Sequence, residues 1–215
     1  MSSIDFNQLK SRLFGGDLDL LVDDVLNDDD PWLFRRSSNS YDQLKDLVRR
    51  SLSMPHEVID VECLVIGSAK FGYSVSPDRF GRAFTVKSDV DIAVISSQMF
   101  DLIWSRMLEW RYPWHVRKWH ERDRHWGYSY LENHFVGWIE PDKIRVEVAG
   151  QNKVPKPIQP IASTWFDTFK RAAALEPIRG HDANARLFRS MGHLVMYQKW
   201  GLGKIAQQQK GGDRP

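Results

Sequence analysis

A second cysteine is missing from this chain of 215 residues. Cys63 stands alone, which excludes an internal disulfide and a zinc site built from several thiolates. A reducing, cytoplasmic setting is the expectation. Long apolar runs are missing too. No stretch approaches the roughly 18 apolar residues of a membrane-spanning helix, and the opening "MSSIDFNQLKSRLF" has no apolar core of a secretion signal. No membrane association is expected. Excess charge of one sign is also absent. Thirty basic residues against 28 acidic ones leave a net charge of +2, so any surface for nucleic acid has to be local. No internal repeat is present.

What the chain does have is an ordinary globular composition, 42% hydrophobic and 27% charged, which excludes disorder throughout. Nine tryptophans are many for this length and point to a dense core, a stacking surface, or both. The length allows one substantial core, or a core with a small appendage.

Residues 1–39 read as an N-terminal extension. Phe6, Leu9 and Leu13 fall at helical spacing, "GGDLDLLVDDVLNDDDPW" is acidic, and "RRSSNS" is a polar linker. "SYDQLKDLVRRSL" predicts a helix with Ser40 as N-cap and Gln43 three residues on, a capping box. Leu44, Leu47, Val48 and Leu52 form its apolar stripe, and Pro55 closes it. "VIDVECLVIGS" predicts a strand ending in a turn, "DVDIAVIS" a second strand, and "SQMFDLIWSRMLEW" a helix through Phe100, Ile103, Met107 and Leu108. Residues 126–140 are aromatic and predict strand or extended loop, and "KIRVEVAG" predicts a third strand. Two helices follow, near 162–174 and 182–200, the second with Leu187, Met191, Leu194 and Val195 on one face. The order predicts an α+β (or α/β) core at 40–155, a helical module at 156–204 and a flexible tail at 205–215.

Two stretches carry the chemistry. In "SDVDIAVI", Asp89 and Asp91 are two residues apart on a strand and project to one face, with Val90 and Ile92 on the other. Carboxylates held that close repel unless they share a proton or a cation, and a hard divalent ion with oxygen ligands is the natural mediator. Glu147, between valines in "IRVEVAG" and on one face with Arg145, offers a third carboxylate. In "VIGSAKFG", Gly67 lets the backbone turn tightly and approach a ligand. Ser68 then points hydroxyl and amide toward a phosphate, with Lys70 or Lys87 to offset its charge.

The series "GS…SDVDIAVI…RVEVA" resembles the signature of the DNA polymerase beta nucleotidyltransferase superfamily. "GSAKFG…KSDVDIAVI" is most similar to its oligoadenylate synthetase and bacterial cyclic-oligonucleotide synthase branch, and to small bacterial proteins of that fold. The resemblance spans residues 40–150. It implies a nucleotidyltransferase core, a mixed sheet with flanking helices, followed by C-terminal helices. It also implies transfer of a nucleoside monophosphate from a nucleoside triphosphate, ATP among them, to a hydroxyl of a protein, RNA or nucleotide acceptor. By the same resemblance, Asp89, Asp91 and Glu147 are catalytic ligands of Mg2+ (or Mn2+). Gly67, Ser68, Lys70, Ser88 and Lys199 bind phosphates, with Tyr197 and Lys204 as further tail candidates, in antiviral defence or toxin–antitoxin biology. The chain departs from the pattern in one respect: residues 69–88 separate Ser68 from Asp89. "SVSPDRFGRAF" within them reads as an inserted hairpin or loop, with Arg79 and Arg82 as weak phosphate candidates.

Rival readings stay open. Asp17 and Asp19 repeat the Asp-x-Asp spacing without a turn-and-strand context and read as an acidic surface or partner-binding segment. A protein retaining this fold as an antitoxin or scaffold would bind a protein partner there. "RYPWHVRKWHERDRHW", residues 111–126, interleaves bases and tryptophans, either a single-stranded RNA platform with Trp119 at its centre or a charged hairpin with its rings turned inward. His115, His120 and His125 are too widely spaced for one face and are poor metal co-ligands.

Overall fold

The computed structural model describes residues 5–16, 18–26, 30–111, 130–148 and 151–212. Helix α1 (Phe6–Gly15) opens on a reciprocal cap, in which Asp5 accepts from the Gln8 amide and the Gln8 side chain accepts from the Asp5 amide. Helices α2 (Leu18–Leu26) and α3 (Ser38–Ser53) follow. Helix α3 starts earlier than the capping-box pattern predicts. Its N-cap is Ser37, without a side-chain bond, and Ser40 lies in the first turn. Of the expected stripe, Leu44, Val48 and Leu52 are buried and Leu47 is partly buried, and Tyr41 joins them.

The order continues with β1 (Glu62–Ile66), the single turn α4 (Ser68–Phe71), β2 (Val90–Ile95) and α5 (Ser97–Arg111). Then come α6 (130–135), β3 (Trp138–Ile139), β4 (Val146–Val148), β5 (Gln151–Lys153), α7 (Gln159–Ala172), β6 (Ala183–Phe188) and α8 (Met191–Gly212). The class is α+β. Four strands form one mixed sheet in the order β1-β2-β6-β3, antiparallel at both edges and parallel between β2 and β6. Side chains alternate across it as pleating requires. Cys63, Val65, Val90, Ile92, Val94, Ala185 and Leu187 face the large core under α3, α5 and α7. Leu64, Ile66, Ala93, Ile95 and Phe188 face Leu194 of α8.

Three expectations are corrected here. The helix read over 182–200 is a strand and then a helix. "ANARLF" occupies the middle of the sheet, and α8 starts only after Ser190, whose carbonyl accepts from the His193 and Leu194 amides. Two neighbours supply β6 with a full ladder, and that tertiary gain outweighs the local helical spacing. The segment 156–204 is therefore no separate helical module, because it contributes a central strand. The tail from 205 is not frayed at its start. Leu202 and Ile205 are buried against Leu9, Leu13, Leu21 and Val22, so α8 is tied to the N-terminal extension. The strand expected in "KIRVEVAG" forms as β4, which among the described residues pairs with β5 in a separate two-stranded sheet.

Among the described residues, no helix is long and apolar enough to cross a membrane.

A carboxylate from outside the helix starts α5. Asp60, in the loop before β1, accepts from the Ser97 amide at 2.8 Å, the Gln98 amide at 3.2 Å, the Ser97 hydroxyl at 2.7 Å and the Ser96 hydroxyl at 2.5 Å. Burial pushes its pKa up, but these bonds outweigh burial and hold it below the ordinary 3.8. Asp60→Ala is expected to lower stability by about 1–2 kcal/mol at neutral pH, the usual worth of an N-cap. The depressed carboxyl contributes fully above its unfolded pKa and loses that contribution as pH falls through the folded value. Denaturant unfolding of wild type and variant should therefore differ at neutral pH and converge in acid; a gap that persists there would remove the charged cap as the cause.

Candidate active site

The antiparallel β1–β2 pair brings the two sequence motifs together. Ile66, the last residue of β1, lies opposite Asp91 near the start of β2. The chain then turns at Gly67, with φ +65° and ψ −145°, a region essentially reserved for glycine. A Cβ at Gly67 would stand 3.0 Å from Oδ2 of Asp91, so the turn's backbone lies directly on that carboxylate. Ser68, half-buried, opens α4, and the first amides of a helical turn have no acceptor within it. Gly72 closes the turn in the left-handed region, its amide donating to the Ser68 carbonyl.

Asp91 sits on the α8 face of the sheet, in line with Ala93 and Ile95. Across the parallel ladder its register partner is Asn184, and Arg186 follows two residues on, on the same face. Arg186 is held from three sides. Its Nε is 3.4 Å from Oε1 of Glu140. Its Nη1 donates to the Tyr197 hydroxyl at 3.0 Å. The rings of Trp138 and Tyr197 lie 5.5 and 5.6 Å from its guanidinium carbon. Lys143 adds a second cation, 3.0 Å from Glu140. Burial pushes the Asp91 pKa up; Arg186 pulls it down, and Asp89 and Glu140 add further upward push. Burial likewise raises the Tyr197 hydroxyl.

The other sequence candidates fall in several places. Asp89 is exposed, just before the strand. Ser88 closes the preceding turn: its hydroxyl accepts from the Thr85 amide at 3.0 Å, and its carbonyl lies 2.8 Å from Nδ1 of His181. Lys70, in the same turn, is buried, at 7% exposure. Lys199 forms an ion pair with Asp19 of α2, so the acidic segment meets the chain's own α8, and the lysine is drawn toward it. Lys204 lies 3.5 Å from the centre of the Trp200 ring. In the segment expected as an inserted hairpin or loop, a single β-bridge joins Tyr73 and Ala83, Arg79 and Arg82 are exposed, and Phe80 lies against Phe6 of α1. Asp17, Trp119, His115, His120 and His125 lie outside the described residues.

Glu147 belongs to the two-stranded sheet, where its register partner is Asn152, and its strand makes no ladder with β2. Arg145, read with it as one face, instead donates to the Asp142 and Ile144 carbonyls. The third carboxylate electrostatically coupled to Asp91 is Glu140, which the sequence reading missed along with Arg186 and Trp138. The available signal was the alternation of Asn184, Arg186 and Phe188, legible only once "ANARLF" is taken as a strand.

Among the described residues, no three His, Cys, Asp or Glu side chains gather as a cation site. Asp89 and Asp91 still fit magnesium, which is commonly held by one or two carboxylates, with substrate phosphates and waters completing its shell. The glycine cradle at Gly67 leaves space against Asp91 that a Cβ would fill. No protein-family model matches this chain, and no curated protein or solved structure matches it.

Proposed function

We propose that this protein is a metal-dependent nucleotidyltransferase, moving a nucleoside monophosphate from a nucleoside triphosphate to a hydroxyl of a protein, RNA or nucleotide. The observation that supports it best is the 3.0 Å approach of a Gly67 Cβ position to Asp91. A phosphate-gripping turn and a carboxylate strand far apart in the chain meet at one edge. Asp89 and Asp91 would hold Mg2+ or Mn2+, which supplies positive charge at the phosphates when bound. Gly67 and Ser68 bring backbone amides, and Ser68 its hydroxyl, to the phosphate oxygens. Glu147 or Asp91 would help to take the acceptor hydroxyl's proton. Glu147, whose strand makes no ladder with β2, stays the third carboxylate that the resemblance implies.

A second reading has an observation of its own. Arg186 stands on the strand beside β2, on the face of Asp91, and among the described residues no three His, Cys, Asp or Glu side chains gather as a cation site. Both features suit a nucleotide-binding scaffold or antitoxin with weak transfer or none. Its partner surface would not be the whole acidic segment, because Asp19 is engaged by Lys199.

The deciding experiment incubates purified protein with each α-labelled nucleoside triphosphate and Mg2+ or Mn2+, with and without total RNA and cell lysate. Wild type is run beside Asp89→Ala/Asp91→Ala, both checked for folding by circular dichroism. Label is expected with wild type alone, and the band that carries it names the acceptor class. Label equal in both rejects the assigned carboxylates. No label, from folded protein that still binds nucleotide, selects the scaffold.

A further inference from the structure

Helices α3 and α7 cover the sheet face opposite to Asp91, with Leu44, Val48, Ile161 and Trp165 turned into the large core. On their outer side lies an open groove of about 630 Å3, within the range of small-molecule sites. Arg50 and Ser51 of α3 line it together with Thr164, Asp167, Lys170 and Arg171 of α7. Three cations thus meet one carboxylate. Arg50 has a loose, solvent-exposed partner in Asp46, 3.6 Å away, a pairing of little worth. Arg171 is the decisive group. Its Nη2 donates to the Ser51 hydroxyl at 2.7 Å and its Nε to the Asp167 carbonyl at 3.4 Å. Both acceptors are neutral, so the guanidinium is oriented and keeps its charge. Among the described residues, no carboxylate forms an ion pair with Arg171 or with Lys170. Cations in the last turn of α7 also offset the helix dipole, but that effect does not need Arg171 turned onto another helix. A fixed planar fork beside an ammonium suits the oxygens of a phosphate. None of the described lining residues is aromatic, so the groove lacks the stacking surface that single-stranded RNA asks for.

We propose that this groove is a separate binding site for a small phosphate-bearing molecule, its phosphate held by Arg171 and Lys170 with Arg50 beside them. Ser51 acts through Arg171, whose fork it orients. The site lies on the far side of the sheet from Asp91 and does not depend on the function proposed above.

Binding of inorganic pyrophosphate and of ADP is measured by calorimetry at low salt and without divalent metal. Wild type is expected to bind at least one of them. Lys170→Gln and Arg171→Gln should each bind about tenfold more weakly, the scale of one lost charged hydrogen bond. Both side chains are exposed, and circular dichroism checks that the variants fold. Lys10→Gln on α1 removes the same charge elsewhere and should bind as wild type does, as should Asp89→Ala/Asp91→Ala. Tighter binding of ADP names a nucleotide as the source of the phosphate, and equal binding names the bare phosphate group; either supports the site. No binding by wild type, or equal binding by all variants, overturns the proposal. An equal loss in Lys10→Gln reduces the effect to net charge and overturns it too. A loss in Asp89→Ala/Asp91→Ala overturns it by placing the probe at the candidate active site. A single-stranded RNA oligonucleotide that displaces pyrophosphate, binds far more tightly and is weakened by the same two variants assigns the groove to a strand instead.

Discussion

A Gly67→Ala chain is expected to be about 2–3 kcal/mol less stable than wild type and to lose nucleotide transfer altogether. Two costs combine. At φ +65° and ψ −145° an L residue is strained by about 1–3 kcal/mol. The new methyl would also meet Asp91 Oδ2 at 3.0 Å, a contact that the carboxylate can relieve only by turning away from the edge it shares with Asp89. Strain removes stability, and displacement of Asp91 removes function. Gly201→Ala is the matched control. It lies inside α8 with nothing within 4 Å of the added Cβ, so it should gain up to about 1 kcal/mol from helix propensity. Urea unfolding and the labelled-nucleotide assay on both variants are the measurement. Wild-type stability in Gly67→Ala would mean that the turn is not where the backbone places it.

Leu187→Ala carries the largest expected loss of stability, about 3 kcal/mol within the 2–5 usual for a buried leucine. Leu187 is fully buried. It lies between Val94 of β2 and Ile139 of β3 across the two ladders. Truncation opens a cavity in the middle of a sheet, where neighbours cannot collapse without breaking register. Met191, four residues on, would be its equal if both lay on one helical face. In the structure Met191 is 38% exposed, so Met191→Ala should cost well under about 1 kcal/mol. Denaturant midpoints of the two variants therefore separate strand from helix at 183–188. Similar losses in both would restore the helix.

What the chain disclosed directly was local. Strands β1 and β2 were visible because each is mostly apolar and β1 runs into Gly-Ser. Helices α3 and α5 were visible because their buried residues recur at helical spacing. Strand β6 was hidden for a physical reason: "ANARLF" has no apolar run to mark it, and its hydrogen bonds come from two partners distant in sequence. The candidate site divides the same way. Asp91 and Gly67 were found because each motif is self-contained. Glu147 stands out in the sequence because it sits between valines, yet a valine pattern marks a strand without saying which sheet receives it. Lys199 looked available for phosphate because nothing local shows that Asp19 would reach it.

The place of β6 also sets a timetable for the molecule as it leaves the ribosome. Strand β2 can pair with β1 as soon as both have emerged, but its other edge waits for Ala183–Phe188. Residues 96–182 must be made first. Closing so distant a parallel pair is entropically slow, and until it closes the apolar strand Val90–Ile95 shows an open edge able to pair with another chain. A chain stopped at residue 155 would carry the candidate motifs intact and still be left with that edge exposed.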